Sequence, residues 1–408
     1  MTGVHGTEFV PIVLMVGLAS VVTMLIKAGL SRTVVPALVG YLGLGMALKL
    51  LQVEFGLLPE GSESILQFLA KVGLVCLLFK VGLESDITGL FHQLRNAAWA
   101  WAANIAVAAL AGYALASWLL GFGLIPSLIV ATAFTATSVG ITVSVWQEAG
   151  AIRSKNGALL VDLAELDDVT AILLMALLFA MIPVLQGGSG GSLLGTLSFT
   201  AGFFLLKLLF FGGLCYFFAR YLEGPVTRFL RRKETLPDTS LSTVGIGFVI
   251  AALSGLLGFS LAIGAFFAGL VFSRDQGVVE MEKFFTPVFD LFAPFFFIGI
   301  GLDIDPAAMI AAVWMGAVLL AGAAISKILA NGVPVYFMRG LQGALLIGVS
   351  MVPRAEITMI IMQKGLRLGE WAVTPRLYGA MVLVTLLTAL LAPVAARTLL
   401  RRWPQENQ

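Results

Sequence analysis

The chain has 408 residues, of which 59% are hydrophobic and only 12% are charged, and its formal net charge is +2. Soluble domains contain about 45–50% apolar and about 25% charged residues, so this composition excludes an ordinary soluble protein. It indicates an all-α polytopic membrane protein, because the apolar runs are continuous and lack the period-two alternation of a membrane β-barrel.

About thirteen apolar segments are assigned as membrane spans, each of which needs about 20 helical residues. The predicted spans are approximately 8–27, 33–51, 64–83, 97–120, 124–147, 156–183, 193–221, 241–257, 259–273, 283–303, 306–333, 339–364 and 374–400. Connections between them are short. We therefore expect one membrane domain over residues 1–408 and no soluble domain.

Basic residues are concentrated in alternate loops, and loops rich in Lys and Arg face the cytoplasm. We therefore expect a multi-pass protein of the inner (plasma) membrane with its N-terminus outside and its C-terminus in the cytoplasm. Lys364, Arg367 and Arg376 fall on the outer side and are exceptions. The residues that follow the rule are Lys27, Arg32, His92, Arg95, Arg153, Lys155, Arg220, Arg228, Arg231, Arg232, Lys233, Arg274, Lys283, Arg339, Arg397, Arg401 and Arg402.

Two interruptions are predicted inside spans. The first is F-T-A-T-S-V-G, Phe134 to Gly140, and the second is S-M-V-P-R-A-E, Ser350 to Glu356. Pro353 removes a backbone donor, and small hydroxyl residues compete for backbone hydrogen bonds. Paired interruptions in two halves of a chain indicate a transport site built from broken helices. The alternative is Ser and Thr packing at helix crossings.

Two adjacent carboxylates, Asp167 and Asp168, lie near the middle of the predicted span 156–183. Each costs roughly 2.5 kcal/mol or more at that depth, and such residues mark ion or proton pathways. The alternative is a structural ion pair. Na⁺ and K⁺ prefer oxygen ligands, which Asp168, Thr137 and Ser138 would supply. Because one carboxyl group can bind a proton or a cation, competition at Asp168 is enough for exchange.

Asp162, Glu165 and Asp168 are spaced i, i+3, i+6, so neighbouring members lie on adjacent helix faces. With the cytoplasm at the start of this helix, they form an acidic ladder that leads down to Asp168. The alternative is that Asp162 and Glu165 neutralise Arg354 or a loop cation.

Cys76 and Cys215 lie in separate apolar segments and indicate neither a disulfide nor a metal framework. His5 and His92 are too few and too far apart for a zinc site. We therefore expect no cofactor and no metal other than a transported ion. We also expect no nucleic-acid partner.

Six stretches in order resemble the monovalent cation:proton antiporter-2 family over nearly the whole chain. They are Pro36–Gly45, Val72–Glu84, Thr135–Thr142, Asp167–Asp168, Ile325–Leu329 and Val352–Glu356. The resemblance implies a thirteen-helix inverted-repeat fold with two crossing broken helices. It also implies a homodimer and an elevator-like motion of a core part, about 97–183 and 306–400, against a dimerisation part, about 8–51 and 193–273.

The resemblance also implies residue roles. Asp168 matches the position that binds cation and proton in competition, and Asp167 matches a neighbour that pairs with Lys327. Such pairing compensates both intramembrane charges, and Lys327 could itself carry a proton. The alternative is that Lys327 lies near the end of its span and extends its ammonium group to the membrane surface.

Four further positions match family motifs. Thr137 and Ser138 correspond to residues beside the ion, and Arg354 and Glu356 to a buried basic–acidic pair. The glutathione-gated potassium efflux members carry Gln-Asp in place of Asp-Asp and a nucleotide-binding domain, so this chain looks more like the sodium/proton branch. The P-R-G-E usual in that branch is P-R-A-E here, with Ala355 at the third position.

The predicted function is therefore secondary antiport of Na⁺ or Li⁺ for H⁺, electrogenic and non-enzymatic, with K⁺/H⁺ antiport on the same scaffold as the alternative. A remote alternative is an intramembrane aspartyl protease, since G-I-G-L-D, Gly299 to Asp303, superficially matches a G-x-G-D motif. Its spacing is wrong, and adjacent aspartates cannot flank a peptide bond from two helices.

Overall fold

A computed structural model describes residues 5–31, 33, 35–56, 61–84, 87–186, 193–222, 224–226, 236–273 and 278–405, and every regular element within these residues is helical. The helices are α1 His5–Leu30, α2 Ala37–Phe55, α3 Ser62–Glu84, α4 Ile87–Ala114, α5 Leu124–Thr135, α6 Val139–Glu148, α7 Lys155–Gln186, α8 Leu193–Phe217, α9 Leu236–Leu256, α10 Leu261–Phe272, α11 Val278–Leu302, α12 Pro306–Ala311, α13 Val313–Ser350, α14 Glu356–Leu368 and α15 Pro375–Arg402. Helices α4 and α8 continue into π-helical turns, Leu115–Leu119 and Phe218–Leu222.

Within the described residues, ten helical segments are long and apolar enough to cross a membrane, and α9 and α10 add two shorter apolar helices. One of the ten, α13, is broken at Gly340, whose φ of 72° and ψ of −173° lie outside the helical region. Glycine adopts this φ without a Cβ clash. Among the described residues, counting α13 as two segments, the second of which continues across an interruption into α14, gives the thirteen predicted spans. The all-α polytopic fold is confirmed.

The chain divides into two compact units. The first comprises residues 1–29, 40–87 and 187–302, and the second comprises residues 30–39, 88–186 and 303–408.

Glycines allow helices of the first unit to pack backbone against backbone. A Cβ added to Gly82 on α3 would lie 2.1 Å from the carbonyl oxygen of Phe266 on α10, beside Gly269. Gly45 on α2 and Gly301 on α11 form a second contact of this kind. Small residues at such crossings maximise van der Waals packing where lipid removes the hydrophobic drive for association. We expect larger side chains at these positions to separate the helices.

The second unit is built around a buried cluster that surrounds the interrupted helices. Trp146 of α6 is 0% exposed and packs in this cluster with Leu160 of α7, Leu346 of α13 and Leu400 of α15. These large side chains fix the helices whose interrupted segments form the site described below.

The three basic residues that break the loop pattern all have partners in the second unit. Lys364 lies 4.9 Å from the centre of the Phe179 ring, and Arg367 lies 3.6 Å from Asp303. Arg376 donates from Nε to a carbonyl oxygen at the end of α12, 3.1 Å away. These local interactions account for basic residues at positions that the loop pattern would leave uncharged.

Candidate functional site

Two helices of the second unit are interrupted where the sequence predicts it. Helix α5 ends at Thr135, the next residues are extended (Ala136 φ −66°, ψ 145°), and α6 begins at Val139. Helix α13 ends at Ser350, and α14 begins only at Glu356. Each interruption frees backbone donors and acceptors that an unbroken helix would pair internally.

The two interrupted segments are joined by direct hydrogen bonds. The N–H of Ser138 donates to the Pro353 carbonyl oxygen at 2.8 Å, and Thr142 Oγ1 donates to the Ser350 carbonyl oxygen at 2.8 Å. Trp146 Nε1 donates to Ser350 Oγ at 2.9 Å. The segments therefore satisfy each other's polar groups inside the second unit, where the residues that make these hydrogen bonds are buried.

Two cationic side chains bind the carbonyl end of α5. Lys327 Nζ donates to the Thr135 carbonyl oxygen at 2.7 Å, and Arg354 Nη2 donates to that of Phe134 at 3.0 Å. The Arg354 guanidinium also lies 5.0 Å from the Phe134 ring centre, and both cationic side chains are 0% exposed. A helix C-terminus carries partial negative charge, so these cations stabilise it.

Asp167 is the anionic partner of this group. Its Oδ2 accepts from Lys327 Nζ at 2.7 Å and from Thr137 Oγ1 at 2.8 Å, and neither charged side chain is exposed. The contact between Asp167 and Lys327 matches the sequence interpretation, whereas Thr137, which that interpretation placed with Asp168, donates to Asp167. Removing one partner of a buried ion pair typically costs about 3–5 kcal/mol, because an uncompensated charge stays behind.

Two buried asparagines in the same group were missed by sequence reasoning. Asn104 of α4 donates from Nδ2 to Asp167 Oδ1. Asn331 of α13 donates from Nδ2 to Asn104 Oδ1 and to the Lys327 carbonyl oxygen, both at 3.0 Å. Both side chains are 0% exposed. A polar amide inside an apolar span, and one placed four residues after a buried lysine, were signals that could have indicated them.

The remaining predicted ion ligands lie next to this group. Asp168 follows Asp167 on α7 and is 8% exposed, while Thr137 and Ser138 lie in the extended segment before α6 and are 4% and 1% exposed. Ser138 Oγ lies 3.5 Å from Glu356 Oε2 in the first turn of α14. These side chains supply carboxylate and hydroxyl oxygens, which suit a hard monovalent cation.

Asp162 and Glu165 lie on α7 on the N-terminal side of Asp168, and both side chains are half-buried. Asp303, by contrast, accepts from Gln363 Nε2 at 2.8 Å and pairs with Arg367. It belongs to a polar group other than that of Asp167, which argues against the two aspartates acting as a protease pair.

Cys76 and Cys215 are buried free thiols. Among the described residues, no three His, Cys, Asp or Glu side chains are grouped so that they could hold a metal ion.

A family model described as "Sodium/hydrogen exchanger, transmembrane" matches residues 17–402. The High-affinity Na⁺/H⁺ antiporter NhaS3 of Synechocystis is 25% identical over 362 residues, which cover 85% of this chain and 76% of that protein. The Na⁺/H⁺-K⁺ antiporter GerN of Bacillus cereus is 28% identical over 338 residues, which cover 82% and 83% of the two chains.

The solved structure of the sodium proton antiporter MjNhaP1 from Methanocaldococcus jannaschii superposes with a TM-score of 0.68 over 96% of this chain and 97% of that one. Sequence identity is 14%, so this likeness concerns the fold.

Proposed function

The chain belongs to the transmembrane sodium/hydrogen exchanger family of cation/proton antiporters, and we propose that it exchanges Na⁺ or Li⁺ for H⁺ by alternating access. The observation that carries this proposal is the buried Lys327–Asp167 pair, which lies beside Asp168 where two interrupted helices cross. A membrane protein tolerates such charges where they serve an ion or proton pathway.

In this proposal a proton and a cation compete for Asp168. Thr137, Ser138 and carbonyl oxygens freed by the interruptions complete the cation's ligands, and Asp167 contributes negative charge. A bound cation and the Lys327 ammonium both need that charge. Two unit charges about 4 Å apart repel by roughly 4 kcal/mol at an effective dielectric constant of 20. Cation binding therefore weakens the Lys327–Asp167 pair.

We assign two protons to each Na⁺. Asp168 releases one proton, and Lys327 releases the second when it leaves Asp167, so each cycle moves net charge. One elementary charge across 100 mV is worth roughly 2.3 kcal/mol, which is ample to drive sodium out of a cell.

The second interrupted segment has a supporting role in the proposal. Arg354 binds the carbonyl end of α5 and fixes the crossing, while Glu356 lies close enough to Ser138 to influence its hydroxyl. The acidic ladder of Asp162 and Glu165 acts as a cytoplasmic entry funnel, because its charges raise the local cation concentration on the cytoplasmic side of Asp168.

The protein is a multi-pass membrane protein. We propose that it lies in the plasma (inner) membrane with its N-terminus outside, as the distribution of basic loops indicates. The part that moves corresponds to about 97–183 and 306–400. The part that forms a homodimer corresponds to about 8–51 and 193–273.

K⁺/H⁺ antiport is the second candidate, because the related GerN is an Na⁺/H⁺-K⁺ antiporter by name and because carboxylate, hydroxyl and carbonyl oxygens suit either ion. The test adds Na⁺, Li⁺ or K⁺ to proteoliposomes and measures proton efflux with a pH-sensitive fluorescent dye. Dequenching with Na⁺ and Li⁺ supports the first candidate, and dequenching with K⁺ alone supports the second. No response to any of the three ions would contradict both.

A further inference from the structure

The carboxylate of Asp167 has different donors on its two oxygens. Oδ2 accepts from Lys327 and Thr137, whereas Oδ1 accepts from the amide of Asn104. Lys327 is a titratable donor, so its contribution depends on its own proton. Asn104 is a neutral amide that donates at every physiological pH.

The orientation of the Asn104 amide is dictated by a ring of hydrogen bonds. The Lys327 carbonyl oxygen can only accept, so Asn331 must present Nδ2 to it. The same Nδ2 donates to Asn104 Oδ1, which leaves Asn104 Nδ2 to face Asp167. Asp167 then closes the ring by accepting from Lys327 Nζ. The ring therefore links α4, α7 and α13 around a single carboxylate.

We propose that Asn104 is a positioning residue that keeps the Asp167 carboxylate oriented when Lys327 withdraws from it. The inference rests on the proposed function, in which cation binding weakens the Lys327–Asp167 pair. A hydrogen bond to a charged group favours the charged form. Without Asn104, Asp167 would bind the Lys327 ammonium more strongly, and the cation would compete less well against the proton that Lys327 carries.

A matched control lies three residues away on each helix. Trp101 of α4 donates from Nε1 to Thr170 Oγ1 of α7 at 3.0 Å. Thr170→Val removes this hydrogen bond between the same two helices without touching Asp167. A loss of helix packing alone would therefore affect Thr170→Val and Asn104→Leu alike.

The experiment measures Na⁺-driven proton flux in proteoliposomes as a function of pH for the wild type, Asn104→Leu, Asn331→Leu and Thr170→Val. For Asn104→Leu we expect the acidic half of the pH–activity profile to move up by about one pH unit, a tenfold stronger proton competition. The apparent KM for Na⁺ should rise about tenfold at acidic pH and little at alkaline pH. Thr170→Val should leave the profile in place.

Asn331→Leu loosens the amide that orients Asn104, so it should move the profile in the same direction by less. The double variant should move it no further than Asn104→Leu, because the two residues act through one contact.

A profile that stays in place in Asn104→Leu would overturn the inference while leaving Na⁺/H⁺ exchange by the wild type intact. If Asn104→Leu does not fold, an unmoved profile in Asn331→Leu overturns it. If the wild type shows no Na⁺/H⁺ exchange, both the proposed function and the inference about Asn104 are contradicted.

Discussion

Lys327 Nζ lies 2.7 Å from Asp167 Oδ2, and neither side chain exposes any surface. The lysine also binds the Thr135 carbonyl oxygen at the end of α5. A change in this one ion pair therefore acts directly on an interrupted helix. This geometry makes Lys327 suitable both as a proton carrier and as a structural counter-ion, and the two roles predict different electrical behaviour.

Lys327→Gln should leave a weakly active exchanger whose voltage dependence is reduced or lost, because the second proton carrier is gone. The measurement clamps the membrane potential with K⁺ and valinomycin while sodium and proton gradients are varied. The null point, at which the two gradients balance and net flux is zero, should shift with potential in the wild type and should shift less or not at all in Lys327→Gln. If the clamp leaves the wild-type null point unchanged, exchange is one-for-one and Lys327 is a structural counter-ion.

Replacing Asp162 with Ala and Glu165 with Val should raise the apparent KM for internal cation and weaken its dependence on ionic strength, because steering by charges is screened by salt. Glu148→Gln is the control, since it removes a largely exposed carboxylate that pairs with Arg397. An unchanged KM with a large loss of thermal stability would favour a purely structural role for the ladder.

Arg354→Gln should lower the thermal stability of the purified protein, because the Phe134 carbonyl loses its charged donor and its ring loses the cation. Leaving a buried acceptor unsatisfied costs about 1–3 kcal/mol. Arg354→Lys keeps the charge but not the planar fork of donors, so it should recover only part of that loss. Melting followed by intrinsic fluorescence measures both, and equal melting temperatures in all three proteins would contradict this account of the crossing.

Much of the site could be predicted from the sequence because its chemistry is unusual for a membrane interior. Pro353 and the hydroxyls of Thr137 and Ser138 indicate broken helices through their effect on backbone hydrogen bonds. Asp167 and Lys327 need compensation, which limits the partners that each can take.

The partners of the two asparagines could not be predicted in this way, although the sequence shows each amide inside an apolar span. A single neutral amide such as Asn104 does not demand a partner as strongly as a charge does. Its contact with Asn331 joins positions 227 residues apart, and that proximity depends on how α4 packs against α13. The backbone contact of Gly82 with α10 is also a product of tertiary packing. Glycine alone does not indicate such a contact, because a Cβ added at many other glycines would have no atom within 4 Å.

The most direct measurement is Na⁺-dependent proton flux by Asp168→Asn in proteoliposomes, compared with the wild type and with Asp303→Asn. The amide has nearly the same shape as the carboxyl group but can neither titrate nor supply a negative charge to a cation. Asp303→Asn makes the same chemical change at the separate polar group of Gln363 and Arg367. We predict that Asp168→Asn folds and shows no flux above protein-free vesicles, while Asp303→Asn still exchanges. Exchange by Asp168→Asn at the wild-type rate would contradict the central assignment.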